Sequence, residues 1–122
     1  MSFDWTEYLA LAEELSGGAP ATPPSEEARQ RSAISRAYYA AFHACLNKLG
    51  SKVPPYQNSH LAVVAYFQHN QSKAYKDIGT RLNRLLVDRR MADYDDEISR
   101  LDWVTAKAVA NARDIVDLVD SL

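Results

Sequence analysis

Cysteine is almost missing from this chain. Cys45 is the only one, so neither an intramolecular disulfide nor a cysteine-based zinc knuckle can form. Long apolar runs are missing too: the longest, Leu61 to Phe67, falls far short of the ~18–20 residues that a bilayer-spanning helix needs. Glycines number four, and the pair Gly17-Gly18 is no phosphate loop, for no G-x-x-x-x-G-K is present. H-E-x-x-H, C-x-x-C and G-x-S-x-G are equally absent, which removes the common zinc-protease, redox and hydrolase signatures. His43, His60 and His69 are too dispersed to argue for a metal, so neither metal nor cofactor is expected. The first residues carry acids instead of a basic stretch before an apolar core, so no signal peptide is expected and a cytoplasmic protein is the default.

What is present is an ordinary globular composition, 47% hydrophobic and 25% charged, over a length that fits one domain with a core of its own. The net charge of −2 exerts no overall pull toward nucleic acid or membrane. Its distribution says more. Residues 1–16 sum to −4 and residues 93–122 to −5, whereas residues 26–52 sum to +3 and residues 73–90 to +4. Two basic central segments thus lie between two acidic ends. Either the basic segments share a face and hold a phosphate backbone, or they pair with the acidic ends.

The apolar spacing is helical throughout, and no alternating strand pattern or repeat appears. Ser2 is placed to cap a first short helix, with Trp5, Tyr8, Leu9, Ala12 and Leu15 as its buried side and Gly17-Gly18 as its stop. The proline-rich stretch Ala19–Pro24 then cannot be helical, and residues 1–24 read as an N-terminal helix with its connector. Ser25 caps a long second helix that Gly50 ends. A loop over Ser51–Gln57 leads to a third helix, Asn58 to His69, with Leu61, Val64, Ala65 and Gln68 on one face. A strand over Leu61–Phe67 would find no partner strand anywhere in the chain. Ser72 starts a fourth helix whose stripe is Tyr75, Ile78, Leu82, Leu85, Leu86 and Arg89, with Gly79 allowing a close crossing. Met91–Asp96 makes a turn, Asp95 or Asp96 caps the last helix, and Ile98, Leu101, Thr105, Ala108, Ala112, Ile115, Val119 and Leu122 form its stripe. The expected architecture is all-α: an antiparallel bundle of four to five helices in one domain, 1–122, with its core in 25–122.

The second helix carries the one polar constellation that structure does not obviously explain. Ile34, Tyr38, Ala41, Phe42, Cys45 and Leu49 make its core stripe. Opposite that stripe project Ser32, Arg36, Tyr39 and His43, with Arg36 and His43 two turns apart less about 20°. A guanidinium and an imidazole on so apolar a helix belong in a groove, at an interface or in a satisfied polar network. Cys45 sits on the stripe and reads as a small core hydrophobe.

Ser35-Arg-Ala-Tyr-Tyr-Ala-Ala-Phe-His-Ala44 resembles the signature helix of HEPN domains (higher eukaryotes and prokaryotes nucleotide-binding), in their short stand-alone prokaryotic branch. Ser59-His-Leu-Ala-Val-Val64 is similar to that branch's histidine-led third helix, and Arg89-Arg-Met-Ala-Asp-Tyr94 to its turn before the last helix. The resemblance covers about residues 25–122. It implies a helical bundle that forms a homodimer and acts on RNA or nucleotides, in many members as a metal-independent endoribonuclease toxin with an Arg-x(4–6)-His motif and a nucleotidyltransferase-like antitoxin. On that resemblance Arg36 and His43 are the catalytic candidates, and Ser32, Tyr39, Arg81, Arg84 and Arg89 the RNA-binding ones. A histidine suits proton transfer at the 2′-hydroxyl or the leaving oxygen, and an arginine suits the charge on pentavalent phosphorus. Ala37 stands where catalytic members commonly carry a polar residue, and their motif usually lies nearer the C-terminal helices. The alternative role for Arg36 and His43 is therefore a scaffold or interface signature in a non-catalytic interaction module, with Arg89 and Asp93 as an ion pair against the same helix.

Overall fold

A computed structural model describes residues 2–52 and 59–122. Among these residues the chain is all-α: α1 (Glu7–Leu15), α2 (Glu26–Leu49), α3 (Ser59–Gln68), α4 (Lys73–Tyr94) and α5 (Leu101–Asp120), with a 3-10 turn over Gly50–Lys52. Two of the expected caps start their helices. Ser25 Oγ accepts from Ala28 N before α2 and Ser72 Oγ from Tyr75 N before α4. Gly50, at φ 57°, ends α2 in a conformation that costs a side-chain-bearing residue more. Residues 53–58, including Pro54-Pro55 and the expected first residue of the third helix, lie outside the described residues.

The core is a single cluster drawn from four helices. α2 buries its whole expected stripe, Ile34, Tyr38, Ala41, Phe42, Cys45 and Leu49, against α4 and α5. Ser35 and Tyr38 of α2 meet Asp93 and Arg89 of α4, and Arg81 and Asp88 of α4 meet Asp114 and Lys107 of α5. Both pairs are therefore antiparallel. α3 turns back on α4 in the same sense, stacking Phe67 on Tyr75 at 5.1 Å. α2 and α5, the most extensive pairing, consequently run parallel, and their small residues Ala37, Ala40 and Ala112 let them come close.

Five local expectations are corrected. Ser2 caps nothing: α1 begins at Glu7, and Asp4 instead accepts from the Thr6 amide (3.0 Å) and hydroxyl (2.6 Å). Of the expected buried side of α1, Trp5 and Tyr8 are half-buried, but Leu9, Ala12 and Leu15 are exposed and Leu11 is buried instead, while Phe3, ahead of the helix, docks in the interior. On α3 the buried residues are Val63, Val64 and Phe67, and Leu61 is exposed. Neither Asp95 nor Asp96 caps the last helix. α5 starts only at Leu101, after Arg100 in the left-handed region (φ 55°), because both aspartates belong to a turn fastened to Arg31. The stripe of α5 then runs through Val104, not Thr105, whose hydroxyl bonds back to Leu101 O at 2.7 Å.

Candidate functional site

The polar face of α2 opens to solvent, as its register requires. Arg36, Tyr39 and His43 are exposed and Ser32 is half-buried. A shallow groove of about 390 Å³ runs along this face, lined by Ser32, Ser35, Arg36 and Tyr39. A second groove, between α1 and α2, continues it past Arg29 and Ala33 to Leu11 and Leu15. Among the described residues Arg36 has no ion pair, so its charge is held in water and available to an anion. Arg29, one wall along, is already neutralised by Glu14 at 2.7 Å.

Tyr39 is the hub of the site. Its ring lies 6.3 Å from His43, 5.9 Å edge-on from His60 of α3, and 5.6 Å below the Arg89 guanidinium of α4. Three helices thus converge on one exposed phenol ring. Arg89 also covers Tyr38 at 5.4 Å and pairs with Asp93 at 3.6 Å. Asp93 in turn accepts from Ser35 Oγ of α2 at 3.1 Å. The expected ion pair against this helix is therefore present, but Arg36 is not part of it. The Nε of Arg89 is buried without a hydrogen-bond partner, an unfilled donor beside the hub.

Beneath the exposed rings lies a second layer. Tyr38, fully buried, is hydrogen-bonded through its hydroxyl to His60 Nδ1 at 2.6 Å. His60 stacks on Phe42 at 4.5 Å and on Tyr38 at 5.6 Å, while Phe42 meets His43 edge-on at 5.3 Å. Burial, then the charges of Arg89, Arg90 and His43, holds the His60 imidazole below its ordinary value of 6.5. Burial pushes the Tyr38 phenol well above 10.0, so it stays protonated.

The remaining RNA-binding candidates separate. Arg89 joins the cluster around Tyr39. Arg81 and Arg84 instead line a groove between α4 and α5, together with Lys107, Asn111 and Asp114. There Arg81 is held by Asp77 and Asp114, each at 3.3 Å, and its backbone carbonyl accepts from Asn111. Of the second basic segment, Arg89 and Arg90 come close to the α2 face, where their charges reach His60, while Arg81 pairs with Asp114 of the acidic C-terminal helix.

Two residues show their place only in the fold. His60 belongs to the segment that resembles a histidine-led third helix, but nothing in the sequence places it against Tyr39. Arg31 is wholly buried, although its place seven residues before Tyr38 puts it on the core stripe. It donates to the carbonyls of Ala92 (3.0 Å), Asp95 (2.6 Å) and Asp96 (3.2 Å) and lies 4.4 Å from the Phe3 ring and 4.9 Å from that of Trp5. That is a structural clasp, distant in role from the exposed face. No group of three or more histidine, cysteine, aspartate or glutamate side chains is arranged to hold a metal among the described residues. No helix among them is long and apolar enough to cross a membrane. Compared with known proteins, the chain matches no family model, no curated protein and no solved structure.

Proposed function

We propose that this protein is a HEPN-type RNA-directed protein, a metal-independent endoribonuclease working in the cytoplasm, with Arg36 and His43 as its reacting groups. The observation that carries the reading is the exposure of Arg36, Tyr39 and His43 on one side of a rigid helix, beside an open groove. One helix holds the Cα atoms of Arg36 and His43 about 10.5 Å apart, a span that a long arginine closes around one phosphodiester. Arg36 offers a planar fork to the phosphate oxygens and stabilises the charge that grows on them as phosphorus becomes pentavalent. His43 takes the proton from the 2′-hydroxyl as its oxygen attacks phosphorus. The 5′-oxygen then leaves with a proton from a second imidazole, which a homodimer partner supplies, and a 2′,3′-cyclic phosphate remains. Tyr39 provides a ring for a flanking base, and Arg89 adds positive charge beside it.

Purified protein is expected to cut single-stranded RNA in EDTA. His43→Ala should reduce cutting by at least a hundredfold and leave the melting temperature unchanged, because the side chain is exposed. RNA binding should weaken steeply with salt as phosphate contacts release counterions. Cutting that survives His43→Ala removes His43 from the mechanism.

A second reading rests on a different observation. Beside the polar face, Ala37 and Ala40 of α2 form a mostly apolar groove of about 350 Å³ with Val109, Ala112 and Val116 of α5, and Arg113 lines it as well. This groove suits a non-catalytic module that dimerises or docks a nucleotidyltransferase-like partner. In that case Ala40→Glu abolishes assembly in sedimentation, and His43→Ala changes nothing that can be measured.

A further inference from the structure

The second layer beneath the exposed face has no part in the chemistry just described, yet it touches every ring that does. His60 comes from α3, a helix that otherwise contributes to the core, and it reaches across to α2. Its ring packs flat on Phe42 and edge-on to Tyr39, and its Nδ1 is tied to the Tyr38 hydroxyl. Phe42 and Tyr39 are the same two rings that His43 contacts. Resting on the reading of this face as an RNA site, we infer that His60 is its positioning residue: the neutral imidazole, pinned between Tyr38 and Phe42, sets where Tyr39 and His43 stand.

The neutral form is required for a reason of hydrogen bonding as well as charge. The buried Tyr38 hydroxyl has no other hydrogen-bond partner among the described residues, so in the neutral state it donates to His60 Nδ1. Protonated His60 carries a hydrogen on Nδ1. The hydroxyl then loses its bond to Nδ1, and a buried hydroxyl hydrogen left without an acceptor costs about 1–3 kcal/mol. The surroundings also repel the charge. Among the described residues, α2 presents Tyr38, Tyr39 and His43 to His60 and α4 presents Arg89 and Arg90, while the nearby Asp93 is engaged with Arg89 and Ser35.

The direction with pH follows. Because folding lowers the affinity of His60 for a proton, the unfolded chain binds that proton first as pH falls below 6.5. The contribution to stability is complete above that value and is lost as pH drops through the folded-state midpoint. The positioning of the rings is lost over the same acid range, and the face loses its order before the bundle melts.

The test is an aromatic NMR titration of the full-length protein, with a parallel pH profile of cleavage on a single-stranded RNA oligonucleotide. His60 should titrate below 6.5, and the ring resonances of Tyr39 and His43 should each show a transition at that same midpoint. Tyr38→Phe, which keeps the ring and deletes the hydroxyl, should shift the midpoint and move the His43 resonances while the protein stays folded. His60→Phe, which keeps the stack, should lower kcat/KM between about ten- and a hundredfold with KM little changed, and should abolish the acid limb assigned to His60. Rings of Tyr39 and His43 that ignore the His60 midpoint and are unmoved in Tyr38→Phe overturn the inference, and so does a wild-type pH profile in His60→Phe. If the wild-type protein does not cleave RNA, the nuclease reading falls, while the titration of the free protein still decides the role of His60.

Discussion

At the scale of single residues, buried charge separates into one case that is satisfied and one that is not. Arg31 is enclosed, but the Phe3 and Trp5 rings lie against its guanidinium and its nitrogens reach three backbone carbonyls and Glu27. Those carbonyls belong to the last turn of α4 and the residues after it, acceptors that a helix C-terminus leaves over. Arg31→Ala should therefore strand acceptors and open a cavity, lowering stability by about 3 kcal/mol or more, read as a fall in the urea midpoint. Arg31→Lys should recover only part of the loss, since an ammonium cannot reproduce the fork. Asp88 is the opposite case. It is 5% exposed, its Oδ2 has no hydrogen bond, and Lys107 stands off at 3.9 Å. Burial raises its carboxyl above 3.8, so the folded state keeps that proton longer than the unfolded chain. Its contribution to stability is thus full below 3.8 and is lost as pH rises through the folded-state value. Asp88→Asn should accordingly raise the melting temperature at neutral pH, by roughly 1 kcal/mol in stability, and the gain should vanish in acid below 3.8.

At the scale of elements, the closest approach in the bundle is made where α4 has no side chain. A Cβ on Gly79 would lie 2.5 Å from Gln68 N and 2.9 Å from Gln68 Cα, both at the end of α3. Gly79→Ala improves intrinsic helix propensity by about 1 kcal/mol, but backbone atoms have no room to yield. The packing term should win, with a net loss of about 2 kcal/mol by thermal melting and displacement of α3. A Gly79→Ala protein as stable as wild type would show that α3 can slide without cost. The sequence pattern already pointed to a close crossing at this residue, yet it misplaced the inner faces of α1 and α3. α1 is short and lies at the edge, so its exposed Leu9 and Leu15 are tolerated while Phe3 serves as the anchor. α3 is apolar on all sides, and for such a segment the period alone cannot tell which valine or leucine faces in.

At the scale of the whole molecule, the core is continuous from α2 through α5, so its parts should open together. Cys45 reports on that. It is fully buried, and burial pushes its thiol up to about 12. Labelling by an aromatic disulfide reagent should proceed only through global opening, at a rate that rises in parallel with the loss of stability in Arg31→Ala and Gly79→Ala. Labelling of the native protein at the rate of a free thiol would mean that α2 and α5 separate locally. The polar face of α2 sits outside this cooperative unit. For that reason His43→Ala should alter chemistry and not stability, whereas changes at Tyr38 or His60, one layer down, should touch both.

Helix identity, the caps at Ser25 and Ser72, the stop at Gly50 and the division of α2 into a core stripe and a polar face were all determined by the sequence alone. Each depends on neighbours within a turn or two, where spacing and backbone chemistry suffice. Tertiary structure alone decided that His60 lies under Tyr39 and His43, that Arg89 joins them while Arg81 and Arg84 turn to α5, and that Arg31 clasps Phe3 and Trp5. These contacts join residues from different helices. Which of them form depends on how the helices rotate and cross, and that is settled by the packing of the whole core.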